Sequence, residues 1–144
     1  MRTSLIVLLV LCCSSVFAQK RPAKDKLLNK KAFWTTVTLM AKKKMVFFED
    51  EMTFRSGKMG SRKLQTEQGF IIGDYVVTET LEMDGDLVIK FQGINKNSKG
   101  QSLKWEGTIF GESIEGKAFL SKKGKVKKEY FFVGELKVRG RKRK

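Results

Sequence analysis

The 144-residue chain contains no histidine, one proline and two cysteines, and each shortage removes a class of chemistry. Without histidine, the commonest general base and the commonest zinc ligand are missing. Cys12 and Cys13 both fall inside an N-terminal leader expected to be removed, so the mature chain has no thiol nucleophile, thiolate metal site or disulfide. No Gly-x-Ser-x-Gly nucleophile turn is present. The carboxylate clusters Glu49-Asp50-Glu51 and Asp84-Gly85-Asp86 read as solvated turn charges, and no Glu stands at the final EF-hand position after Asp84. The expectation is a protein that binds rather than catalyses, with no metal and no cofactor.

The leader is read from residues 1–18. Arg2 supplies a positive charge, residues 5–11 form an unbroken apolar run too short to span a bilayer, and Val16-Phe17-Ala18 suits signal peptidase, with cleavage before Gln19. A lipid anchor at Cys12 or Cys13 is disfavoured, because Leu11 and Cys12 stand where a lipobox wants Gly or Ala. The protein is therefore expected to be exported, periplasmic or extracellular.

Charge is unevenly placed along the chain. Residues 20–31 hold six basic and one acidic residue, residues 32–116 hold eleven and twelve, and residues 117–144 hold twelve and two. The body is near neutral and the ends are basic. Residues 19–31, which include the single proline, Pro22, read as a tether or short helix, residues 32–138 as one monomeric domain and residues 139–144 as a basic tail.

From Ala32 onward, apolar residues alternate in short runs separated by turn residues, the pattern of an antiparallel meander. Strands are predicted at 32–40, 47–54, 58–62, 74–83, 87–94, 103–110, 113–121 and 129–138, with 63–73 a loop or one helical turn. Gly111, Gly116 and Lys117 have the spacing of a phosphate-binding loop, but Ala118 lacks the terminal hydroxyl. A two-residue type II′ turn at Gly111-Glu112 explains the stretch better. It places Ile109 opposite Ile114, Gly107 opposite Gly116, Trp105 opposite Ala118 and Leu103 opposite Leu120 on one face, with Glu106 beside Lys117 on the other. No helix follows to receive a phosphate, so nucleotide binding is rejected.

An aromatic-x-Gly pattern recurs at Phe91-Gln92-Gly93, Trp105-Glu106-Gly107 and Phe132-Val133-Gly134. Strand glycines mark a bend at a barrel corner or the close approach of another group. The fold expected is all-β, an antiparallel up-and-down meander closing into a small barrel of about eight strands. With its leader, its cysteine-free body and its closing Tyr130-Phe131-Phe132-Val133-Gly134, the chain resembles the small secreted lipocalin-like, calycin-type β-barrel proteins of bacteria, mostly of unknown function. The resemblance implies a barrel with a hydrophobic ligand inside.

Two binding modes follow. In the first, a small apolar or lipid-like ligand occupies the interior, walled by Phe33, Val37, Phe91, Trp105, Tyr130 and Phe132 and oriented by the hydroxyls of Thr35 and Thr78. Thr78 points inward if Asp84-Gly85 is a two-residue turn with Glu79 opposite Lys90. In the second, a polyanion such as lipopolysaccharide or an acidic glycan, or an anionic membrane surface, meets the basic runs Lys122, Lys123, Lys125, Lys127 and Lys128, read as a hairpin loop, and Arg139, Arg141, Lys142, Arg143 and Lys144, expected near one end of the barrel. No aromatic is interleaved with these runs, so nothing there stacks bases. Intracellular nucleic acid is not an expected partner of an exported chain.

Overall fold

The structure, a computed structural model, describes residues 26–40, 44–138 and 140. Eight strands follow in chain order: β1 (Ala32–Met40), β2 (Val46–Arg55), β3 (Lys58–Ser61), β4 (Gly73–Met83), β5 (Asp86–Lys96), β6 (Gln101–Phe110), β7 (Ser113–Lys122) and β8 (Lys125–Leu136). One helix, α1 (Arg62–Gln68), joins β3 to β4. Each strand pairs antiparallel with the next and β8 returns to β1, so the sheet closes into a barrel with no free edge. The up-and-down meander expected from the alternation is the observed fold.

Side chains of alternate residues point to opposite faces of a strand, and that period selects the core. In β1 it buries Phe33, Thr35 and Val37; in β5 it buries Ile89, Phe91 and Asn95. The turns set the register. Ser56-Gly57, Asp84-Gly85 and Lys123-Gly124 have positive φ at both residues, as a two-residue type I′ hairpin requires. At Gly111-Glu112 only Gly111 is positive, at 56°, which suits the type II′ turn. The β6–β7 pairs are those expected, from Phe110 opposite Ser113 to Leu103 opposite Leu120.

Several expectations are corrected. The lysine run at 122–128 is not a long loop: Lys123-Gly124 is the whole turn, and β8 begins at Lys125, four residues before the predicted start. A Lys-Gly pair able to take two positive φ values was enough to close the hairpin. Residues 62–68 form a helix capped by Ser61, whose Oγ accepts from the Leu64 amide at 3.3 Å, and ended by left-handed Gly69. Glu49-Asp50-Glu51 lies within β2 and not in a turn. There Asp50 is buried and its carboxylate accepts from the amides of Glu51 (2.7 Å) and Lys63 (2.8 Å) and from the Ser61 hydroxyl, which fastens α1 to the barrel.

Meander connectivity assigns each connection to an end of the barrel. The β1–β2, β5–β6 and β7–β8 hairpins and α1 lie at one end; the β2–β3, β4–β5 and β6–β7 turns lie at the other. The second end also receives both chain termini of the domain, since the Lys137 amide donates to the Ala32 carbonyl at 2.8 Å. Leu28, fully buried, plugs that end, held by a Lys30 amide bond to the Phe54 carbonyl (2.8 Å). The run Lys122 to Lys128 therefore lies at the α1 end, where the twelve-residue β8, about 40 Å long at the usual strand rise, begins. Arg139 and residues 141–144 lie outside the described residues.

Candidate functional site

The interior residues expected to wall a ligand come together as a packed core. Phe33, Val37, Phe91, Trp105, Tyr130 and Phe132 are all buried, and Thr35 lies among them. Their rings meet edge to face: Phe54 stands 6.0 Å from Phe33, 5.1 Å from Phe91 and 5.1 Å from Tyr75, and Trp105 stands 5.4 Å from Phe132. The aromatic-x-Gly pattern is explained here. A Cβ on Gly107 would stand 2.5 Å from Cζ of Phe91, and one on Gly116 would stand 2.6 Å from Cζ of Phe132. Gly107 and Gly116 make room for rings of the core, Gly93 for the Met59 side chain and Gly134 for the Trp34 carbonyl and Thr35.

Thr78 does not join this cluster. The register slips between Val77 and Glu79, making Thr78 the extra residue of a bulge, so Val77 rather than Thr78 stands opposite Phe91. Thr78 is exposed on the outer wall, although the expected Glu79–Lys90 pairing is present, with an ion pair at 2.6 Å. It borders an outer groove of about 510 Å³ with Gln92, Thr108, Phe131 and Val133. Lys117 also borders it. Lys117 stands opposite Glu106 as expected, yet its ammonium pairs with Glu129 at 3.4 Å and lies 4.8 Å from the Phe131 ring centroid, while Glu106 pairs with Lys104 at 2.9 Å. Strand β8, on the other side of β7, supplies the better acceptor.

Two polar groups matter inside. The Trp105 indole donates to Oδ1 of Asn95 at 2.6 Å, and Nδ2 of Asn95 donates to the carbonyls of Met59 and Ile71, both at 2.9 Å. Asn95 thus straps β3 and the segment after α1 to β5, with its donors and its acceptor all used. It continues the inward parity of Ile89 and Phe91, but the predicted strand stopped at residue 94 and left it out. Thr35 is the contrasting case. It is fully buried, and its Oγ1 has no hydrogen-bond partner among the described residues. At the α1 end, burial raises the Tyr130 phenol above its ordinary value near 10, and a side-chain hydrogen bond with Gln68 pulls it partly back.

The basic candidates divide by position. On the walls and at their margins, Lys58, Arg62, Lys63, Lys90, Lys104, Lys117 and Lys137 each reach a carboxylate. At the α1 end, Lys122, Lys123, Lys125, Lys127 and Lys128 are exposed on the β7–β8 hairpin, and Lys44, Lys96 and Lys99 join them from neighbouring hairpins. No ion pair among the described residues engages any of these eight lysines. Sequence reading missed the last three because they are far apart in the chain. Among the described residues, no three carboxylates converge to hold a metal ion. Compared with known proteins, the chain matches no family, no curated sequence and no solved structure.

Proposed function

We propose that the protein is an exported, non-catalytic barrel that binds polyanions, such as lipopolysaccharide phosphates or acidic glycans, through its basic surface. One observation carries the reading: cations on the walls are matched by neighbouring carboxylates, whereas those crowded onto the hairpins at the α1 end are not. Like charges brought together without counter-ions raise the local positive potential, and a phosphate- or sulfate-bearing polymer lowers it. Export rests on the leader in residues 1–18, and membership among lipocalin-like barrels is part of the same proposal. The barrel wall itself is not built to span lipid, since its apolar side faces inward and its outer face carries ion pairs.

Heparin titration at low and at physiological salt tests the reading. Affinity should fall with salt, and replacing Lys122, Lys123, Lys125, Lys127 and Lys128 by Gln should weaken binding and flatten the salt dependence, because fewer counter-ions are released. Deleting residues 139–144 should have a separate effect, since Lys137, just before them, lies at the opposite end. An unchanged salt slope in the five-lysine variant would remove the hairpin as the anion site.

The second reading, a small apolar ligand inside the barrel, is favoured by the unpartnered Thr35 hydroxyl, which a ligand's polar atom would satisfy. Such a ligand has to displace or slip between the rings around Phe54 and Trp105. Native mass spectrometry of protein from its own host would reveal it as an adduct lost on denaturation.

A further inference from the structure

We infer that the partner is an anionic lipid bilayer, met end-on by the α1 end of the barrel; this rests on the polyanion reading and narrows it. The lysines there do not stand alone. The β1–β2 hairpin, next to the start of β8 through the pairing of Met40 with Glu129, exposes Met45 (64%), Val46 (45%) and Phe47 (72%). Val126 (61%) projects between Lys125 and Lys127 on the β7–β8 hairpin. Large apolar side chains left this open at hairpin tips are unfavourable in water.

A soluble polyanion offers phosphates or sulfates to the lysines but nothing to these tips. A bilayer surface offers both: acidic headgroups at the depth of the ammonium groups and, a few ångströms deeper, the headgroup–acyl boundary where Phe, Met and Val partition. Lysine stems suit that boundary, since their methylenes lie along apolar surface while the charge stays with the phosphates. The opposite end also exposes apolar side chains, Met83, Leu87 and Phe110, but these flank acidic turns. Its turns are Ser56-Gly57, Asp84-Gly85 and Gly111-Glu112, two of them acidic, and an acidic turn is repelled by an anionic surface. The barrel would therefore stand on the membrane by its α1 end.

The test uses the full sequence expressed with its leader and the processed protein recovered after export. Co-sedimentation is measured with vesicles of phosphatidylcholine alone and with vesicles containing about 30% phosphatidylglycerol, alongside heparin binding. Each lysine near such a surface is worth about five-fold in partitioning. The wild-type protein should bind the anionic vesicles and not the neutral ones, and the five-lysine-to-Gln variant should lose at least about 50-fold on vesicles and weaken on heparin. The decisive variant is Met45→Ser with Val46→Thr and Phe47→Ser, which should lose about ten-fold or more on vesicles while heparin affinity is unchanged. Equal melting temperatures establish that these surface variants fold. If the apolar-tip variant binds vesicles as well as wild type, end-on membrane docking is wrong while polyanion binding stands. If wild type binds neither vesicles nor heparin, the polyanion reading fails with it.

Discussion

Replacing Thr35 by Val isolates the unpartnered hydroxyl. The two side chains have nearly the same shape, both are β-branched and both suit a strand, so the change exchanges a buried hydroxyl for a methyl and little else. Thr35 lies opposite Gly134 in the β1–β8 ladder, and an added Cβ on Gly134 would meet Cγ2 of Thr35 at 2.9 Å, so the site is closely packed on that side. A buried hydroxyl that has given up water without gaining a partner costs about 1 to 3 kcal/mol. Thr35→Val should recover part of this, stabilising the protein by about 1 to 2 kcal/mol and raising the Tm by about 4 to 8 °C for a domain of this size. Thr35→Ser, which keeps the hydroxyl and removes a buried methyl, should instead cost about 1 kcal/mol. Urea unfolding with a constant m value measures both. If Thr35→Val destabilised the protein by 1 kcal/mol or more, the hydroxyl would have a partner, a buried water or an interior ligand, and the reasoning would be wrong.

Three further outcomes are expected. Trp105→Phe removes the indole donor to Oδ1 of Asn95 and leaves a smaller ring beside Phe132, so it should cost about 2 to 4 kcal/mol in denaturant unfolding; a loss under about 0.5 kcal/mol would mean that the Asn95 strap is not structural. Tyr130 has a raised pKa in the folded chain, so its contribution is fully present below pH 10 and is lost as pH rises through the folded value. Stability measured from pH 9 to 11.5 should fall less steeply in Tyr130→Phe than in wild type, and parallel curves would show that another group drives the alkaline loss. Gly107→Ala puts a methyl against Phe91 and Phe132 and should lower the Tm; a neutral result would show that the rings can shift, leaving room for an interior guest.

Much of the barrel is legible in single residues. The alternation Phe33-x-Thr35-x-Val37 points those three side chains to one face, and Gly111-Glu112 between matched apolar pairs sets the β6–β7 register, because a slip of one residue would turn Trp105 to water. Local pattern carried the interior wall for the same reason. It failed where local and non-local demands diverge. Lys122 to Lys128 looks like a loop by composition, yet strand pairing with β7 costs solvated lysines nothing and satisfies the backbone, so the hairpin continues to Lys123-Gly124. Thr78 was placed inward by counting from the Asp84-Gly85 turn, and a bulge moved it out.

The sequence by itself determined the strand count, the inward parity, the absence of histidine and the basic balance of the ends, since each depends on residue type or on the period of two along a strand. Only the tertiary structure decided which groups meet. Barrel closure between β1 and β8, residues about a hundred positions apart, brought Thr35 against Gly134 and left its hydroxyl without a partner among the described residues. Meander connectivity gathered Lys44, Lys96 and Lys99 beside the β7–β8 hairpin and set Met45, Val46 and Phe47 next to them. A charge count along the chain cannot hold that information, because the field at a surface depends on distances in space, and the chain reverses direction at every turn.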